Sequence, residues 1–176
     1  MDVRDDLRFI CTTIEANLRY AESKHTAFIV FNGVATFGSF GLVRNLNLDS
    51  NAWLTHLVLA AAIFFLICAI ITSIYSFIPI IIHDKHASAA SAGDNALFFE
   101  HVKSHSVESY ERLLCAQYLF KPENIAPLDR CIILQIIANA RLASRKFALF
   151  KRAAVFDLAA VSFALIGTML ALAKLK

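Results

Sequence analysis

"AWLTHLVLAAAIFFLICAIITSIYSFIPIII", residues 52–82, runs for 31 residues without a formal charge. An α-helix rises about 1.5 Å per residue, so about 20 residues cross a hydrocarbon core about 30 Å thick. This run can cross a bilayer and project beyond it, with Pro79 near its end to kink or terminate the helix. Two further runs obey the same arithmetic. Thr26–Val43 is uncharged over 18 residues, and Ala153–Ala173 covers 21 residues with one charge, Asp157. Of the 176 residues 58% are hydrophobic and 18% charged, with a mean hydropathy of +0.59. A soluble domain is nearer half apolar and a quarter charged. The prediction is an all-α integral membrane protein with transmembrane helices at 26–43, 52–82 and 153–173. The alternative is a two-span chain in which 26–43 is a buried helix.

The first run is expected to be a permanent span rather than a cleaved signal peptide. Residues 1–25 precede it as a mixed-charge helix, and it lacks a small-x-small cleavage site. Lys and Arg sort by segment. Arg4, Arg8, Arg19 and Lys24 precede the first run, Arg44 alone lies in the first loop, and ten lie in 83–152. The positive-inside bias then places the N-terminus and 83–150 in the cytoplasm, with the C-terminus outside. Acidic residues nearly balance the basic ones in those segments, so the net charge of +3 is no sign of nucleic-acid binding. Cys11, Cys68, Cys115 and Cys131 show no CxxC spacing and indicate neither a disulfide framework nor zinc.

Val3, Leu7, Ile10, Ile14, Leu18 and Ala21 recur at spacings of three and four, a coiled-coil-like seam. No Pro or Gly separates that seam from the first span, so residues 3–43 read as one long helix. Asp49, Ser50 and Asn51 are helix-capping residues before the second span. "HASAASAGDN" (86–95) reads as a small-residue hinge, followed by short helices near 95–103 and 106–120. After "KPENIAP" nothing breaks the chain from Leu128 to Lys174. Ile132, Ile133, Ile136, Ile137, Ala140, Ala143, Phe147 and Phe150 form a helical stripe there. The small cytoplasmic helical region is thus expected to be built on long helices that continue into the membrane.

Three features carry candidate chemistry. In the first span Gly33, Gly38 and Gly41, with Ala35 and Ser39, offer a surface for close helix approach. Asn32 must bond a neighbour or face water, because an unpaired amide in hydrocarbon is costly. Arg141, Arg145, Lys146, Lys151 and Arg152 form a basic run. It serves either anionic headgroups or, through Arg141 and Arg145 one helical turn apart, a phosphate. Asp157 is an intramembrane acid able to line a path or to pair with Lys151 or Arg152. The chain has no GxSxG, P-loop, Cys–His context or paired carboxylates, so no catalytic residue and no cofactor is expected. "HDKH" (83–86) and "HVKSH" (101–105) place histidines together without HExxH or a third acidic ligand, so no metal is expected.

"ESKHTAFIVFNGVATFGSFG" (22–41), "NALFFEHVKSHSVESYERLL" (95–114) and "QIIANARLASRKFALFKRA" (135–153) together resemble the Pycsar-type transmembrane effectors of bacterial anti-phage defence. The likeness runs in order over roughly residues 15–165. It implies a membrane-embedded homo-oligomer, tetrameric by analogy, that answers a nucleotide signal and compromises the inner membrane of an infected cell. The signal is a cyclic pyrimidine mononucleotide from a cyclase. In similar Hailong systems it is a DNA oligomer, made by a nucleotidyltransferase, that holds a small channel closed. The chain carries no HD phosphohydrolase set and no cyclic-nucleotide-binding β-roll, which implies a separate partner enzyme and a ligand surface built from helices. Carried over by position, Lys24, Phe98, Phe99, His101, Arg145 and Lys146, joined by Arg141, are the expected ligand contacts: the cations for phosphate, with Phe98 and Phe99 either capping the cytoplasmic core or offering a face to a base. Asn32, Gly33, Gly38, Gly41 and Asp157 are the expected pore or span-packing residues. The competing readings are a scaffold membrane protein without channel activity and, disfavoured by the missing catalytic set, an intramembrane enzyme.

Overall fold

A computed structural model of the chain describes residues 3–45, 53–79, 94–118 and 125–174. The capping residues at 49–51, most of the 86–95 hinge, His83 and His86 lie outside that range. The described residues form five helices and no strand: α1 (Val3–Asn45), α2 (Trp53–Tyr75), α3 (Phe99–Val102), α4 (Val107–Tyr118) and α5 (Pro127–Lys174). They divide into two compact units, Met1–Glu22 with Pro79–Phe147 and Ser23–Ile78 with Ala148–Lys176. α1 and α5 each supply residues to both.

The first unit is a small helical core. Leu7, Ile10 and Ile14 of α1 pack with Tyr110, Leu113 and Leu114 of α4 and Ile133, Ile136, Ile137 and Ala140 of α5. Ala96 and Val102 close it. Tyr110 is fully buried, and its hydroxyl donates to the Ala96 carbonyl at 2.7 Å, which satisfies the one polar group it brings inside. Local chemistry sets the helix starts. Ser106 and Ser109 cap each other reciprocally, with Ser109 N–H to Ser106 Oγ at 3.1 Å and Ser106 N–H to Ser109 Oγ at 2.9 Å. Pro127 opens α5, where its missing N–H costs nothing. Asp129 accepts from the Ala126 N–H at 2.9 Å, and its other oxygen accepts from Arg4 Nε at 3.2 Å. One buried carboxylate thus caps α5 and ties it to the start of α1.

The second unit repeats the seam with smaller and more polar residues. Along α2 and the turn that closes it the buried positions are Thr55, Leu59, Ala62, Leu66, Ala69, Ser73 and Ser76, alternating by four and three. On α5 Ala153, Ala160, Gly167 and Ala171 keep the same rhythm. That spacing holds one face of each helix toward its neighbours. α2 and α5 run antiparallel, since Phe77 shares the neighbour His25 with Phe150, whereas Leu59 approaches Gly167. A Cβ on Gly167 would lie 2.6 Å from Leu59 Cδ2 and 3.4 Å from Val58 Cγ1. Between these ends Phe65 stacks on Phe163 at 5.5 Å and 8°.

α2 stops at Tyr75 rather than running through the expected 52–82. Three successive i→i+3 bonds, Ser76 N–H to Ser73 O, Phe77 N–H to Ile74 O and Ile78 N–H to Tyr75 O, tighten its end. Pro79 is the cause, because its ring disfavours the α conformation at the residue before it. Among the described residues two helices are long and apolar enough to cross a membrane, Trp53–Tyr75 and the long Pro127–Ala173. Residues 26–43 form the second half of α1. Asn32, Thr36, Ser39 and three glycines leave that stretch less apolar than the other two.

Gly167→Leu should destabilise the protein by about 1–3 kcal/mol through overpacking. Leu59→Ala in the same chain should recover most of the loss, and a double-mutant cycle of thermal unfolding in detergent measures that coupling.

Candidate functional site

The expected ligand residues fall in both compact units. Phe98, Phe99, His101, Arg141, Arg145 and Lys146 belong to the first unit, and Lys24 belongs to the second. There the Lys24 ammonium lies 5.3 Å from the centroid of Phe150, a cation–π contact.

In the first unit the site grows from the turn before α3. Asn95 accepts from the Leu97 N–H through its side chain at 2.8 Å, an Asx turn, and its own N–H donates to His101 Nδ1 at 2.9 Å. Gln117 of α4 holds the turn from behind, accepting from the Ala96 N–H at 3.3 Å and donating to the Asp94 carbonyl. This fixes the two phenylalanines differently. Phe99 stacks on Phe147 at 5.2 Å and 19°, and Phe147 meets Tyr20 at 6.4 Å. Phe98 stays 45% exposed, edge-on to His101 at 5.1 Å. Of the two rings, Phe98 presents an open aromatic face and Phe99 packs the core.

The basic residues divide in the same way. Arg141 donates from Nε to the Lys103 carbonyl at 3.0 Å and from a terminal nitrogen to the His105 carbonyl at 3.1 Å. It closes the turn after α3, so its fork is committed to backbone oxygens. Lys146 is only 7% exposed and forms an ion pair with Glu22 at 2.9 Å, joining α5 to α1. Lys103 bonds Ser144 at 2.9 Å and pairs with Glu100. Arg145 is half-buried on the same helix. Glu22, Lys103 and Ser144 carried no signal in the sequence, because each is an ordinary surface type whose partner is remote along the chain.

His105 is fully buried, with Nδ1 3.2 Å from Ser109 Oγ and Nε2 3.4 Å from Asp94 Oδ2. Burial pushes its pKa below the ordinary value, the Asp94 carboxylate pulls it up, and His101 pushes it down again. Burial wins, so His105 is neutral at pH 7. Burial, with Glu15 or Glu111 alongside, pushes the Cys11 and Cys115 thiols up, which leaves both protonated and poor nucleophiles.

The expected span residues all lie in the second unit. Asn32 is fully buried, and neither its amide nitrogen nor its amide oxygen has a hydrogen-bond partner among the described residues. A Cβ added to Gly33, Gly38 or Gly41 would meet nothing within 4 Å, so this surface of α1 packs on no described part of its own chain. Thr36 and Ser39 satisfy their hydroxyls on the Asn32 and Ala35 carbonyls at 2.7 and 2.8 Å. Asp157 keeps one buried carboxylate oxygen without a partner.

The family model of the Pycsar effector protein domain matches residues 6–173, through both units. The chain belongs to the Pycsar effector family. No curated protein and no solved structure matches it. Membership makes this Pycsar effector a membrane protein of anti-phage defence, from a family of effectors rather than of catalysts. The Pycsar setting implies a cyclic-nucleotide signal from a partner cyclase.

Two outcomes follow for the first unit. Arg141→Ala strands two carbonyls and should cost about 2–3 kcal/mol of stability, with Arg141→Lys recovering little because one ammonium cannot reproduce the fork. Since His105 protonates more readily once unfolded, its neutral burial contributes stability above about pH 6.5, lost as pH falls toward its lower folded pKa. Thermal unfolding at pH 7.5 and 5.5 should show this loss, and His105→Gln should flatten it.

Proposed function

We propose that this Pycsar effector is a homo-oligomeric membrane channel, gated by a nucleotide or oligonucleotide, that depolarises or permeabilises the bacterial inner membrane. In this reading 26–43 joins α2 and the end of α5 as a third span. The N-terminus and 83–150 lie in the cytoplasm and the C-terminus outside, in keeping with the distribution of Lys and Arg. The observation that carries the oligomer is the open glycine surface of α1. Lipid gains nothing from glycine, whereas a second copy of the helix can approach closely there. Four subunits follow by analogy with the family.

The ligand reading rests on Phe98, which offers a stacking face to a base beside His101, with Arg145 as the phosphate contact. Phe99, Arg141 and Lys146 then support the site from within the core. A cyclic mononucleotide from a partner cyclase is the favoured signal, and a DNA oligomer from a nucleotidyltransferase the second. Because α1 and α5 are unbroken, a displacement of their cytoplasmic residues is carried along the same helices toward the spans. The scaffold reading draws its support from the structural engagement of Arg141 and Lys146.

Purified protein in liposomes should pass ions in a nucleotide-dependent manner. Silence with and without cyclic nucleotides and short DNA oligomers would favour the scaffold. Loss of base stacking in Phe98→Ala should weaken the nucleotide response about tenfold while the oligomer persists.

A further inference from the structure

The second unit contains a layer of unpaired polar groups whose register can be followed from its aromatic contacts. His25 packs edge-on to Phe77 at 6.2 Å and to Phe150 at 5.6 Å, which sets these three residues at one level. α1 advances in the same direction as α5 there, with Phe28 reaching Phe150 at 4.8 Å. Asn32 lies seven residues beyond His25, and Asp157 seven beyond Phe150, both about 10 Å further along. α2 runs the other way, so Ser73, four residues before Phe77, lies about 6 Å along the same direction. Helical side chains lean toward their own N-terminus. Asn32 and Asp157 therefore lean back toward Ser73, while Ser73 leans toward them. Ala69 and Ala160 flank the layer with small, buried side chains.

Both amide atoms of Asn32, the Ser73 hydroxyl and one Asp157 oxygen are buried without a hydrogen-bond partner among the described residues. Orphaned polar groups on three helices at one depth are too costly to leave unmatched in a low-dielectric interior. The donor set is one carboxylate with two neutral oxygens, a single negative charge. That matches a hard cation of one positive charge, whose hydration shell oxygen atoms can replace. We propose that the second unit binds a monovalent alkali cation between Asn32, Ser73 and Asp157. The site lies within one protomer and does not require that the oligomer conduct.

The test uses the full chain in nanodiscs, with thermal unfolding followed in sodium, potassium and choline chloride at equal ionic strength of about 0.15 M. One alkali salt should raise Tm by about 3 °C or more over choline, because an ion held only by the folded state stabilises it. Asp157→Asn and Asn32→Leu should each erase the difference. Asn32→Leu removes a buried unpaired amide and so keeps or raises Tm in choline, which separates lost binding from lost folding. Equal Tm in all three salts would overturn the proposal and assign the layer to water or a proton. A salt difference that survives both variants would overturn it by placing the ion elsewhere. Alkali-dependent stability in a protein whose liposomes stay silent would keep the site and remove the channel.

Discussion

The seam on which both units depend repeats every seven residues along α1 and α5. In α1 the buried positions pass from Leu7, Ile10 and Ile14 through Ala21 to His25 and Asn32. In α5 they pass from Ile133 and Ile136 through Ala140 and Ala143 to Ala153 and Ala160. Bulky residues fill the first unit, where burial of apolar area drives folding. Small and polar residues replace them in the second, which holds α2 and the apolar end of α5, and there packing depends on close approach. One periodicity serves both units because it governs which side of a helix faces inward, not what fills that side.

The polar residues within that seam have different functions in the two units. In the first they are matched: Asp129 with Arg4, Lys146 with Glu22, and Arg141 with two carbonyls fix how α1, α3 and α5 fit together. In the second, the amide of Asn32, the Ser73 hydroxyl and one Asp157 oxygen have no hydrogen-bond partner among the described residues. A buried network that is satisfied specifies a fold, whereas unsatisfied groups mark a place where something else must bind or move.

Much of the helical plan was legible from hydropathy and spacing. Unbroken helices over 3–43 and from Leu128 onward follow from the absence of Pro, from the lack of Gly between the N-terminal seam and the first span, and from the steady apolar stripe. The start of α4 at Val107 follows from the capping chemistry of Ser106 just before it. The end of α2 was only partly legible, because Pro79 signals a break but the closing i→i+3 turn takes place before it. The roles of the basic residues were not legible. Arg141 and Arg145, one turn apart, looked equivalent. Yet Arg141 faces the Lys103 and His105 carbonyls, a pairing across a separation that no local pattern encodes. Phe98 and Phe99 were likewise indistinguishable as neighbours in sequence, and only Phe147 separates them.

Gly167 forms a notch that Leu59 occupies, and the stacked Phe65–Phe163 pair lies beside it. Sliding α2 along α5 would lift Leu59 from the notch and unstack the rings together, so translation proceeds only in whole turns or not at all. Along 33–41 α1 has no such detent, since a Cβ at any of its three glycines would meet nothing within 4 Å. In mechanical terms α2 and α5 are indexed against each other by a notch and a stack, and the glycine face of α1 carries no such index.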